Sequence, residues 1–101
     1  MILTQKNVYQ EDVSTLAAGS AIIAYPCVVF SIIASMEGDG DAVINIANHA
    51  TTYSQANRIE QICLTNEAHT VQLTYLSGKP FSAGLTATCN KAGVDLSITY
   101  E

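Results

Sequence analysis

The stretch SIIASMEGDGDAVINIANHA, Ser31 to Ala50, decides the fold class. Two apolar runs rich in β-branched residues flank EGDGD, in which Glu37, Asp39 and Asp41 place carboxylates at every second position. Odd spacing of oxygen ligands is how a calcium loop begins. An EF-hand loop starting at Glu37 would need glycine at its sixth position and glutamate at its twelfth, where this chain has Ala42 and Asn48. The flanks also alternate in the manner of strands. EGDGD therefore reads as a solvated hairpin joining SIIASM to AVINIAN, its glycines supplying the turn. A looser calcium site on Glu37, Asp39 and Asp41 is the alternative.

Working outward, the region before EGDGD has no charge from Val13 to Met36. Such a run raises the question of a membrane helix, which needs about 20 apolar residues. Here the densest part, Ala21 to Ala34, is shorter, contains Pro26, and lacks flanking basic clusters or tryptophan anchors. Glu11 and Asp12 occupy what would be the positive region of a signal peptide. Two apolar strands divided or bent at Pro26, with the proline at an edge or bulge, fit better. No membrane span is expected.

Alternation with period two recurs downstream. AVINIAN (42–48) sets Ala42, Ile44 and Ile46 on one face, and TVQLTYL (70–76) sets Val71, Leu73 and Tyr75 inward. LTATC (85–89) does the same with Leu85, Ala87 and Cys89, and VDLSITY (94–100) with Val94, Leu96, Ile98 and Tyr100. This is the pattern of antiparallel strands with one wet face. RIEQICL (58–64) is a further strand whose phase the sequence leaves open. SGKP (77–80), NKAG (90–93) and TNEAH (65–69) read as turns, NKAG closing the last hairpin. YQEDVSTLAAG (9–19) has weak helix signals and reads as a loop or single turn.

One sheet with an apolar face needs a second against it. The expectation is an all-β, antiparallel two-sheet β-sandwich or jelly roll with seven to eight short strands. It forms a single domain over 1–101, with 1–19 a loosely structured N-terminal segment.

Composition narrows the function. The 101 residues are 49% hydrophobic and only 13% charged, which excludes ordinary disorder. So uncharged a surface suggests cover by a partner. The net charge of -5, with Lys6, Arg58, Lys79 and Lys91 the basic residues, argues against nucleic acid. Cys27, Cys63 and Cys89 each lie in an apolar stretch and read as buried thiols, although one disulfide plus a free thiol is compatible with the number. Cys63 and His69 lie six apart across a turn, but a zinc site needs two further ligands from distant positions. No serine or cysteine is set with a histidine and an acid in a recognisable triad, and no glycine-rich phosphate loop occurs. No catalytic residue is assigned. Among the aromatic residues, Tyr53 in TTYSQAN is the candidate for an exposed ligand-binding ring.

Three features together resemble small β-sandwich structural proteins of tailed phages and prophages. They are the long apolar strand pair leading to GDGDAVINIAN, the late segment KPFSAGLTATCNKAGVDLSITYE, and a chain ending on its last strand. The similarity spans residues 20–101, although Thr86 and Ala87 stand where an aromatic residue is common. It implies a non-enzymatic structural or decoration protein, a homo-oligomer contacting capsid or tail proteins. Such a protein occupies the virion, or the host cytoplasm during assembly. The rival expectation is a small carbohydrate- or ligand-binding module, with calcium as its one candidate cofactor. Contact candidates are the apolar region 21–34 and the tip 51–57.

Overall fold

The structure, a computed structural model, describes residues 2–10 and 21–101. Its strands are β1 (Thr4–Gln10), β2 (Ala21–Ile23), β3 (Cys27–Met36), β4 (Ala42–Asn48), β5 (Arg58–Leu64), β6 (Thr70–Phe81), β7 (Leu85–Cys89) and β8 (Val94–Tyr100), with a short 3-10 turn at Gln55–Asn57. They form two four-stranded sheets, the first in the order β1-β8-β3-β6 and the second in the order β2-β7-β4-β5. All pairings are antiparallel. Among the described strands, β4 and β5 are the one consecutive pair sharing a sheet. Every other succession changes sheets, which is the topology of a jelly roll.

The predicted alternation sets the inner faces. Ile32, Ala34 and Met36 of β3, and Leu96 and Ile98 of β8, are buried from the first sheet. Ala42, Ile44 and Ile46 of β4, with Leu85 and Ala87 of β7, are buried from the second. β5 resolves its phase by burying Ile62 and Leu64 and leaving Cys63 exposed. Each large side chain so buried is worth about 1.5–3 kcal/mol of hydrophobic stabilisation, opposed by the entropy of ordering the chain. Val71, Leu73 and Tyr75 do face inward, but they stay half-buried because β6 is an edge strand.

Three turns differ from expectation. EGDGD is not a hairpin, because β3 lies in the first sheet and β4 in the second. A hairpin would have set Ile32 and Ile46 side by side on one unopposed face; the crossing sets their two strands on opposite sides of one core. NKAG likewise carries the chain from β7 to β8 across the sandwich instead of closing a hairpin. SGKP lies inside the single strand β6, whose pairing with β3 passes from Thr74↔Ser31 to Lys79↔Val29. Four residues, Tyr75 to Gly78, therefore oppose Phe30 alone in a wide bulge.

Pro26 stands between β2 and β3, outside both, where the chain changes sheets. The N-terminal segment contains a formed strand, since Thr4–Gln10 pair with Tyr100–Val94 along the whole of β1. Tyr9 and Gln10 belong to that strand, while the rest of the loop expected over 9–19 lies outside the described residues. The C-terminus is tied in as expected. Glu101 N donates to Val28 O at 2.9 Å, and Val28 N donates back to Glu101 O at 3.1 Å. Among the described residues no helix is long and apolar enough to cross a membrane.

Candidate interaction surface

The outer face of the first sheet follows directly from its register. Lys6, Ile98, Ile32 and Leu73 form one cross-strand row, in which Ile98 and Ile32 point into the core. The rows on either side must then point out. They are Gln5-Thr99-Ser31-Thr74 and Asn7-Ser97-Ile33-Gln72, followed two residues on by Tyr9-Asp95-Ser35-Thr70. Asp95 is the single charged residue in these three rows of four. Hydroxyl and amide groups dominate, some already engaged: Gln5 Nε2 donates to Ser97 Oγ at 2.7 Å, and Gln72 Nε2 to Thr74 Oγ1 at 3.3 Å.

At one end this surface turns apolar. Leu76, in the β6 bulge, is 94% exposed. The bulge is possible because residue 78 is glycine: φ is +81°, and a Cβ there would lie 2.5 Å from Val28 Cγ1 and 3.0 Å from Phe30 Cε1. Lys79 follows, its Nζ 3.5 Å from Glu60 Oε1 of β5 and 5.4 Å from the Tyr75 ring centroid. Burial, and then the Glu60 carboxylate, push the Tyr75 phenol up to about 12. Tyr75 Oη is enclosed on the side of the Glu60 carboxylate.

The outer face of the second sheet is different in kind. Asn45 is its hub: Gln61 Nε2 and Arg58 Nη1 donate to Asn45 Oδ1 at 2.8 and 3.4 Å, and Asn45 Nδ2 donates to Thr88 Oγ1 at 3.4 Å. That network ties the polar side chains of this face to one another. Of the four edge strands, β1 carries Lys6, β5 carries Arg58 and Glu60, and β2 has three residues. β6 is the longest, and its portion from Thr70 to Gly78 has no charge.

The residues singled out from sequence are not brought together. Glu37, Asp39 and Asp41 precede β4, whereas Tyr53 follows it, so a seven-residue strand of about 20 Å lies between them. Tyr53 is half-buried, with Oη donating to Gln55 Oε1 at 2.5 Å. Tyr25 and Tyr9 are the more open rings, at 55% and 43% exposure. Around EGDGD, Gly40 N donates to Asn66 Oδ1 at 2.6 Å, and Asp39 Oδ1 lies 3.9 Å from His69 Nε2. The Lys91 ammonium lies over the loop, 3.7 Å from where a Cβ on Gly40 would stand. Thus a cation of the chain itself already sits against the acidic segment. Among the described residues no three histidine, cysteine or acidic side chains gather as a metal site.

All three cysteines are free thiols, Cys27 and Cys89 buried and Cys63 exposed. Burial pushes the Cys27 and Cys89 thiols up, and Lys91 partly offsets this at Cys89. Exposed Cys63 departs from the expectation of three buried thiols, because it faces outward on β5. His49 caps its own turn, accepting from the Thr51 and Thr52 amides at 3.2 and 3.3 Å through Nδ1.

Leu76 is the surface residue that sequence reasoning missed. A signal existed: Tyr75 and Leu76 break the alternation as an adjacent apolar pair just before Ser-Gly, which is how a bulge reads. Compared with known proteins, the chain matches no protein-family model and no curated protein.

Proposed function

We propose that this chain is a non-enzymatic structural or decoration protein of a phage or prophage virion, working through contacts with copies of itself and with capsid or tail proteins. The observation that carries the reading is the outer face of the first sheet, uncharged but for Asp95 and continuous with exposed Leu76 and the uncharged edge of β6. A face of hydroxyls and amides loses little on being covered, because each group can exchange water for a partner. The jelly-roll topology suits this role, since capsid domains use it, although lectins and cupins use it too. The protein would reside in the virion, or in the host cytoplasm during assembly.

The test is light scattering over a wide concentration range, combined with pull-down against purified capsid and tail components. Concentration-dependent oligomers and retention of a virion component are expected. A monodisperse monomer that retains neither component overturns the proposal.

Tyr9 favours a second reading. It is 43% exposed on the same face, beside the amide and hydroxyl side chains that would contact a sugar. A glycan-binding module would use the ring as a stacking surface and the rows of Ser, Thr, Asn and Gln as hydrogen-bonding partners. Chemical-shift changes confined to Tyr9, Asn7 and Ser97 on titration with oligosaccharides would select this reading, and their absence would discard it.

A further inference from the structure

We propose that β6 is a self-pairing edge, and that a second copy of this chain adds its own β6 antiparallel to it, joining two four-stranded sheets into one of eight. This inference rests on the self-assembly proposed above and names its contact.

An edge strand presents a row of unpaired backbone N–H and C=O groups, and proteins that remain single guard such edges with charges, prolines, bulges or short length. β6 is twelve residues long, and its charge and proline guards, Lys79 and Pro80, lie at the far end alone, past a bulge at Tyr75–Gly78 whose first two residues fall within the contact. From Thr70 to Thr74 it pairs regularly with β3 on one side. The opposite side is a sheet edge, and no charge stands along it.

The sequence of β6 is complementary to itself in the antiparallel sense. A two-fold axis at Leu73 sets Val71 against Tyr75, Gln72 against Thr74 and Thr70 against Leu76. Inward residues then meet inward residues. Val71 and Tyr75, half-buried now, become a β-branched–aromatic cross-strand pair of the kind that stabilises sheets. Leu76, 94% exposed in the single chain, gains a neighbour in Thr70 of the second copy.

Charge selects this direction. The start of β6 lies in acidic surroundings, with Glu67 preceding it and Asp39 3.9 Å from His69. Its far end carries Lys79. Antiparallel pairing about Leu73 brings the Lys79 end of each copy towards the Glu67 end of the other, whereas parallel pairing would join like to like. The strand contact is short, about 20 Å for seven residues, so the dimer belongs among small, reversible interfaces.

The experiment uses the full chain with exposed residues changed on the outward side of β6. Gln72→Lys with Thr74→Lys, and separately Gln72→Glu with Thr74→Glu, put like charges opposite each other in the paired state. Each double variant should keep the native circular dichroism spectrum and dimerise at least about tenfold more weakly by sedimentation equilibrium. Mixing the two should restore a heterodimer. A native dimer that persists in both double variants overturns the β6 contact and leaves self-assembly standing. A native chain that stays monomeric at every concentration overturns both. Weakened variants that fail to recombine on mixing overturn the mutual strand pairing.

Discussion

The wholly buried side-chain amide of Gln10 donates to the carbonyl of Cys89 at 3.1 Å, and again to that of Lys91 at 2.7 Å. Through it the end of β1 is fastened to the crossing between β7 and β8, a link strengthened by Gly93 N donating to Gln10 O at 2.8 Å. Val8 is the other β1 residue that packs against the core. β1 is therefore held by its ladder with β8 and by this buried polar anchor.

Replacing Gln10 by alanine removes both side-chain bonds and strips buried carbonyls of a donor. The expected loss is about 1–3 kcal/mol. Urea unfolding checks it, and amide exchange along β1 should accelerate more than exchange in β3 or β8.

Gly78 is the second sensitive position. Gly78→Ala meets both a positive φ and a Cβ contact of 2.5 Å with Val28 Cγ1, whereas at Gly93, with φ +80°, the added Cβ meets nothing within 4 Å. Gly93→Ala should cost roughly 1–2 kcal/mol of backbone strain, and Gly78→Ala roughly 2–4. Equal losses in thermal or urea unfolding would show that the bulge yields to the extra carbon.

In the core, Ile98 lies on a central strand with Ile32 as its cross-strand neighbour, both completely buried. Ile98→Ala should cost about 2–5 kcal/mol, a large fraction of the roughly 5–15 kcal/mol typical of a domain. Chemical denaturation measures it directly. A loss below about 1 kcal/mol would mean that the sandwich collapses into the space.

Alkaline pH should weaken the protein through Tyr75. Its folded-state value is pushed up to about 12, while the unfolded phenol titrates near about 10. The unfolded chain therefore gives up its proton first, and stability falls with rising pH. The contribution is intact below about pH 10 and is lost progressively as pH rises through about 12. Tyr75→Phe should flatten that part of the decline in unfolding free energy. Tyr100, raised by its hydrogen bond to Tyr25 and by burial, supplies a further decline of the same sign that the variant keeps.

Thiol chemistry distinguishes the cysteines. With Cys63 exposed and Cys27 and Cys89 buried, an aromatic disulfide reagent should modify one thiol quickly and two only on unfolding. The fast phase should vanish in Cys63→Ser. Three fast thiols would contradict the packing of β3 and β7.

How legible was all this? Alternation alone marked the inward residues of β4, β7 and β8, because a half-buried strand must repeat every two residues. The same rule marked Val71, Leu73 and Tyr75 but could not tell that they sit at an edge, since edge position depends on which strands become neighbours. EGDGD looked like a hairpin because Gly-Asp-Gly suits a tight turn as readily as a crossing between sheets. Tyr53 looked exposed because its neighbours are polar, yet Tyr25 and Tyr9 are the open rings.

By itself, the sequence determined that this is an all-β chain with one apolar face per strand and no excess of positive charge. Those properties are local, carried by residue types and their spacing. Only the tertiary structure decided that successive strands change sheets, that four β6 residues bulge over Phe30, and that three polar rows form one face with Asp95 its single charge. Each of these joins residues distant in the chain, and long-range pairing is settled by which apolar faces close one core together.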